Sequence, residues 1–320
     1  MRRKSRASIL ILTVAFFAMF FLCILKGTAP IPPGELFQPQ FHTILFLRLL
    51  RVLMAIIAGI GLSVSGIVLQ ALLRNPLAEP YLLGTSSGAG LGVLLAILLG
   101  VSSFLLPLAG FLTALITLFL VYRVAVHNGR IPIHTLVLSG AILSVALSAI
   151  IVFIISITAN ETLHDVMWWL WGSMQVYELP LFIIVAVIVT GGVALVFFFS
   201  RELDIFCLGE EEAVHAGISV ENVKKILLGI VSLITASLVS LCGVIGFVGL
   251  IIPHMMRLCL GARHRQLLIG TVIASSVFMM ACDLIARTAF APVEIPIGVI
   301  TALLGAPLFI ILLKRKQRIQ

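Results

Sequence analysis

Few side chains in this sequence stand where they could do chemistry. Asp283 is the clear carboxylate inside an apolar run, and Arg287 follows it by four residues, which places both on one helix face. Within lipid such an acid is half of an ion pair or a step in a proton relay, and the adjacent arginine makes the pair the simpler reading. No Gly is followed by Lys, so the P-loop pattern is absent and the chain does not bind ATP in that way. Gly88-Ala89-Gly90-Leu91-Gly92 is not a dinucleotide fingerprint, and neither a His-Glu-x-x-His pair nor paired carboxylates within an apolar run occur. Cys23, Cys207, Cys242, Cys259 and Cys282 show no Cys-x-x-Cys or zinc spacing and read as small hydrophobes, so neither a disulfide nor a metal is expected. The expectation is a chain without catalytic or metal-binding residues. Asn160-Glu161-Thr162 matches a glycosylation sequon weakly. His254, after Pro253, reads as an interface residue, and Trp168, Trp169 and Trp171 as membrane-interface anchors.

The elements that position these residues must be membrane helices. Hydrophobic residues make up 61% of the 320, charged residues only 11%, and the mean hydropathy is +1.23. A soluble domain carries roughly a quarter of charged residues. Apolar runs fall at about 8–25, 45–70, 85–101, 104–124, 135–157, 177–200, 223–242, 244–260, 266–287 and 296–313. These ten runs predict an all-α polytopic membrane protein, a single transmembrane domain over 1–320, with the first run an uncleaved helix. With the N terminus inside, 17 of the 21 Lys and Arg fall on the cytoplasmic side; Lys26, Arg48, Arg51 and Arg287 do not. That asymmetry supports ten spans with both termini cytoplasmic, and it accounts for the net charge of +8 without nucleic acid. Small residues crowd several runs, including Gly59, Gly61, Gly66, Gly84, Gly88, Gly92, Gly243, Gly246 and Gly249, as close helix packing in lipid requires. The shape expected is that of a transporter or channel.

Four segments carry more than composition. Gln70 to Gly90 contains helix stops at Asn75-Pro76 and Glu79-Pro80, then a small-residue helix start. The others are Leu208 to Gly217, Gly246-Phe247-Val248-Gly249-Leu250-Ile251-Ile252-Pro253-His254, and Glu294 to Pro307. Together, in order and in register, they resemble the permease family of ABC importers for iron-siderophores, haem and vitamin B12, the FecCD-type or type II importers. Two departures are Arg48-Leu49-Leu50-Arg51, where the family has Arg-Leu-Pro-Arg, and Gly243-Val244-Ile245-Gly246, where it has Gly-Pro-Ile-Gly.

The resemblance implies a transport subunit of the bacterial cytoplasmic (inner) membrane, not an enzyme. It would pair with a second copy or a close paralogue, with the pathway between them. Two ATPase subunits would hold ATP and Mg2+, and a periplasmic or lipid-anchored binding protein would deliver the substrate. It also implies residue roles. Arg48, Arg51 and Arg287 would meet acidic residues of the binding protein; the plainer alternative is that Arg48 and Arg51 snorkel and Arg287 pairs with Asp283. The polar segment 201–225, with Gly209, Glu210, Glu211, Glu212 and Gly217, would form two short helices seated in the ATPase, the alternative being a solvated charged face. Ile133 and His134, in the loop joining the fourth and fifth spans, would form the cytoplasmic gate near the two-fold axis; His134 capping a helix is the alternative. The rival class is a secondary transporter driven by an ion gradient. Selectivity is expected to reside in the binding protein, with an iron-siderophore the first guess and haem or cobalamin next.

Overall fold

A computed structural model describes residues 2–28, 38–158 and 166–317. The proline-rich loop after the first run and the sequon at Asn160 lie outside them. The described residues form helices α1 (Arg2–Leu25), α2 (Pro39–Leu72), α3 (Thr85–Leu98), α4 (Leu106–Ala125), α5 (Ile133–Ile157), α6 (Leu179–Phe198), α7 (Ser200–Phe206), α8 (Glu210–His215), α9 (Val220–Cys242), α10 (Val248–Leu260), α11 (His264–Thr288) and α12 (Ile297–Gln317). Seven of them, α1, α2, α4, α5, α6, α9 and α11, are long and apolar enough to cross a membrane, while α3, α10 and α12 are shorter apolar helices. Each of the ten apolar runs overlaps one of these ten helices.

The breaks follow from local chemistry. Pro39 opens α2 at a position where its missing N–H is not needed. The helix ends where Arg74 turns left-handed, and the Asn75 side chain accepts the Leu77 N–H at 2.9 Å. A 3-10 turn over Pro80–Leu83 and a left-handed Gly84 then re-aim the chain into α3. The run expected from 244 to 260 is helical only from Val248, because Gly243 and Phe247 both take positive φ. The irregular stretch is held by backbone bonds, Ser173 N to Cys242 O at 2.8 Å and Gly298 N to Trp171 O at 3.0 Å. Non-helical backbone at membrane depth is tolerated where protein covers it in this way.

α2 is the axis of the bundle. It packs against α11, α10, α9 and α6, and α1 lies along α11, where the Cys23 thiol donates to Met280 O. Close approach depends on small residues: a Cβ on Gly66 would collide with the carbonyl of Gly249, and one on Gly59 would come within 2.6 Å of Ser275 O. Of the cysteines read as buried hydrophobes, Cys23, Cys242 and Cys282 are buried, but Cys207 and Cys259 are exposed.

Candidate functional site

Three of the four segments singled out in the sequence meet inside the bundle. Gln70 donates to Gly249 O at 3.2 Å and Leu250 O at 3.4 Å, Glu79 accepts from Phe247 N at 3.3 Å, and the Tyr81 hydroxyl accepts from Ile245 N at 3.2 Å. Gly305 of α12 presses on Phe247 and Ile251, and the His254 ring stands edge-on to Phe309. The segment 70–90 therefore serves as a cradle for the start of α10.

The fourth segment lies at one end of the bundle and forms the short helix α8, which follows the short helix α7. Leu203, Phe206 and Ala213 are buried and root the pair, while Leu208, Glu211, Glu212 and Val214 are exposed. Gly209 precedes α8 with a φ of 141°, and Gly217 follows it in the left-handed region. Two ionic anchors hold the pair in place. Asp204 of α7 sits 2.7 Å from His264 Nδ1 and accepts the His264 N–H at 2.8 Å, which caps α11. Glu210 of α8 meets Lys224 of α9 at 2.8 Å, and Lys224 is also 3.2 Å from Glu221 and 3.4 Å from Ile131 O. Lys224 is only 3% exposed. The sequence count assigned Lys224 a side and carried no information on its burial.

Ile133 and His134 lie close by, but in the first turn of α5 rather than in a loop, because Pro132 takes the N-cap position. Ile133 is half-buried and His134 exposed. The connection before them is a tight hairpin: His127 and Arg130 exchange backbone bonds of 3.0 and 3.1 Å around Asn128 and Gly129, both with positive φ.

The arginines expected to dock a partner are brought together at the opposite end. Arg51 and Asp283 are 2.7 Å apart, Arg51 and Glu294 2.9 Å, and Arg287 and Asp283 3.2 Å. Asp283 thus pairs with Arg287, as the spacing suggested, and more closely with Arg51, a partner that sequence reasoning missed. Arg48 donates to Ile24 O and Leu25 O at 3.0 and 2.9 Å, satisfying the end of α1, and Arg287 donates to Cys23 O at 2.6 Å. Arg48 and Arg287 are buried, and Arg51 is 13% exposed. The three guanidiniums line a cavity of about 330 Å3 with Gln175, Tyr177 and Glu294. The sites at the two ends are far apart: Asp283 lies nineteen residues along α11 from His264, about 28 Å at 1.5 Å per residue.

Comparison with known proteins fits this arrangement. The family model described as the FecCD transport family matches residues 13–315. The chain belongs to the FecCD transport family. It is 38% identical over 272 residues to the cobalamin import system permease protein BtuC of Halobacterium salinarum, covering 85% of this chain and 73% of that one. It is 34% identical over 321 residues to the vitamin B12 import system permease protein BtuC of Klebsiella pneumoniae, covering 99% and 96%. A structure assigned to an inward-facing metal-chelate type ABC transporter superposes with a TM-score of 0.86 at 31% identity, over 97% of this chain and 99% of that one. As a FecCD member the chain is an ABC transporter permease, a multi-pass protein of the cytoplasmic membrane.

In this FecCD permease the residues missed by sequence reasoning are Glu221, Lys224, Asp204, His264 and Glu294. Glu221 and Lys224 are three apart on a helix, a local signal for a pair, but nothing local shows that Ile131 lies between them. The remaining contacts join segments that are distant in sequence.

Proposed function

We propose that this permease is the membrane subunit of an ATP-driven importer of a chelated-metal compound. In this reading all ten apolar helices span the membrane, both termini are cytoplasmic, and the pathway lies between two copies of the chain or a copy and a close paralogue. Support for the paired arrangement comes from α5, of whose span only 11% is buried within the chain, leaving large apolar residues such as Leu138, Ile142, Val145 and Phe153 free to meet a second copy or lipid.

The observation that carries the ATP-driven reading is the polar pair α7–α8. Its apolar roots are buried and its tip presents Glu211 and Glu212 between exposed Leu208 and Val214, a projection that fits a cleft in a separate ATPase. Gly209 and Gly217 bracket the projection, and Glu210 ties it to the bundle. ATP and Mg2+ belong on that ATPase. Ile133 and His134 serve as the cytoplasmic gate. A substrate-binding protein docks over the arginine basin, where Arg51, the most accessible of the three, faces a partner carboxylate while Arg48 and Arg287 hold the basin together. Because two of the relatives have names that state cobalamin or vitamin B12 as cargo, a corrinoid now precedes an iron-siderophore or haem among the candidates.

The test is reconstitution of the chain in liposomes with a P-loop ATPase and a binding protein that co-purify with it. Uptake of labelled cyanocobalamin, haem and ferric siderophores is measured with and without ATP. ATP-dependent uptake of one of these, unaffected by collapsing proton and sodium gradients, is expected. Uptake that follows an ion gradient without ATP would establish the secondary-transporter reading instead.

A further inference from the structure

We propose that Lys224 is a positioning residue that latches the inner-gate connection to the ATPase-facing helix α8. The inference rests on the importer reading for its purpose, but the latch itself is read from geometry. The Lys224 ammonium gathers three acceptors: Glu221 one turn earlier on its own helix α9, Glu210 at the start of α8, and the carbonyl of Ile131 before α5. The same Ile131 peptide position is gripped a second time, since its N–H donates to the other Glu221 oxygen at 2.9 Å. Ile131 is therefore held at both its N–H and its C=O by one ion pair.

What lies on either side of this grip makes it a mechanical joint. Towards the N terminus is the two-bond hairpin of His127 and Arg130; towards the C terminus, Pro132 leads directly into Ile133 and His134 on the first turn of α5. Neither neighbour has much freedom to absorb displacement. On the other side of the joint, Glu210 is one-third exposed and stands first in α8, whereas Glu221 is bound to Ile131 as well. The Glu210 arm is thus the one that can release, and the Glu221 arm the one that stays. The ammonium group links α8 directly to the residue that precedes the gate turn.

A purely stabilising role would not require this design. A buried ammonium is desolvated at considerable cost, and apolar residues of similar volume usually serve stability as well or better. What the ionic version adds is a defined position for one backbone peptide.

Three variants test the proposal: Lys224→Met, Lys224→Arg, and the triple E210Q/E221Q/K224M, which removes every charge of the latch and so leaves none buried without a partner. In liposomes with ATPase and binding protein, Lys224→Met is expected to retain the ATPase, because Lys224 is buried away from it. It should hydrolyse ATP but import at least tenfold less substrate per ATP. Lys224→Arg should recover most of that ratio, and the triple variant should fold like wild type yet remain uncoupled. A triple variant with wild-type uptake per ATP would overturn the latch.

A second measurement needs no partner. With Cys207→Ser and Cys259→Ser, spin labels on His127→Cys and Glu212→Cys should show one narrow distance in the parent chain and a broadened one in the triple variant. An unchanged narrow distance would also overturn the proposal. Failure of the importer reading shows up separately, as absence of ATP-driven uptake by the wild-type chain.

Discussion

Removing the Asp283 charge is the most informative single perturbation at the arginine basin. Asp283 is 1% exposed and lies within 3.2 Å of two guanidiniums, Arg51 and Arg287, that are themselves largely withdrawn from solvent. Asp283→Asn keeps the shape but leaves those two cations with Glu294 as their nearest carboxylate. Breaking a buried pair by deleting one partner costs about 3–5 kcal/mol, because the remaining charge is uncompensated. Arg51→Ala should fall in the same range, since it strands Asp283 with Arg287. Glu294 is 22% exposed and also accepts from Gln175 at 3.0 Å, so Glu294→Gln should cost about 1 kcal/mol or less. The assay is unfolding of the purified chain in mixed micelles by SDS titration at 50 and 500 mM salt, with binding-protein affinity measured in parallel. Stability losses at a buried site should not change with salt, whereas any docking contribution of Arg51 should shrink as exposed charge is screened. If Asp283→Asn unfolds at the wild-type midpoint, or Glu294→Gln proves the costlier change, the cluster is not the buried network described. If the affinity loss of Arg51→Ala is the same at both salts, docking does not run through that guanidinium.

Three further outcomes are expected. Gly66→Ala should reduce folded yield sharply, because its methyl group would meet the Gly249 carbonyl, while Gly229→Ala, with open space beside it, should behave as wild type; expression and size-exclusion profiles compare the two. Glu211→Ala with Glu212→Ala, which spares Glu210 and the latch, should leave the unfolding midpoint unchanged yet weaken retention of the ATPase on an affinity column; full retention would remove these carboxylates from the contact. Ile133→Cys, in a chain whose exposed Cys207 and Cys259 are replaced, should crosslink to its copy in at least one nucleotide state, and no crosslink in any state would take this turn out of the gate.

The parts of this molecule that could be read from its sequence are those written locally. Lipid is a blunt solvent, so each span appears as an apolar run whatever it packs against, and the stops at Asn75-Pro76 and Glu79-Pro80 are chemical properties of those dipeptides. The Asp283–Arg287 pair was legible for the same reason, since four residues on a helix always share a face. The clusters of small residues announced close packing, but not that Gly66 meets Gly249. Arg51 and Asp283 are 232 residues apart, and Lys224 and Ile131 93 apart, and no periodicity connects them.

Charge counting also carries a bias. The positive-inside rule sorts Lys and Arg by side and is silent on burial, so it does not register that Lys224 is 3% exposed and held by Glu210 and Glu221. The same holds at the other end, where the exceptions to the rule proved informative for a different reason. Arg48, Arg51 and Arg287, exceptions in the charge count, each have internal acceptors: two carbonyls of α1, a carboxylate pair, and Asp283 with Cys23 O. A cation that breaks the topology rule thus points first to a buried partner, and a docking role for such a residue has to be carried by whatever charge the internal partners leave uncompensated.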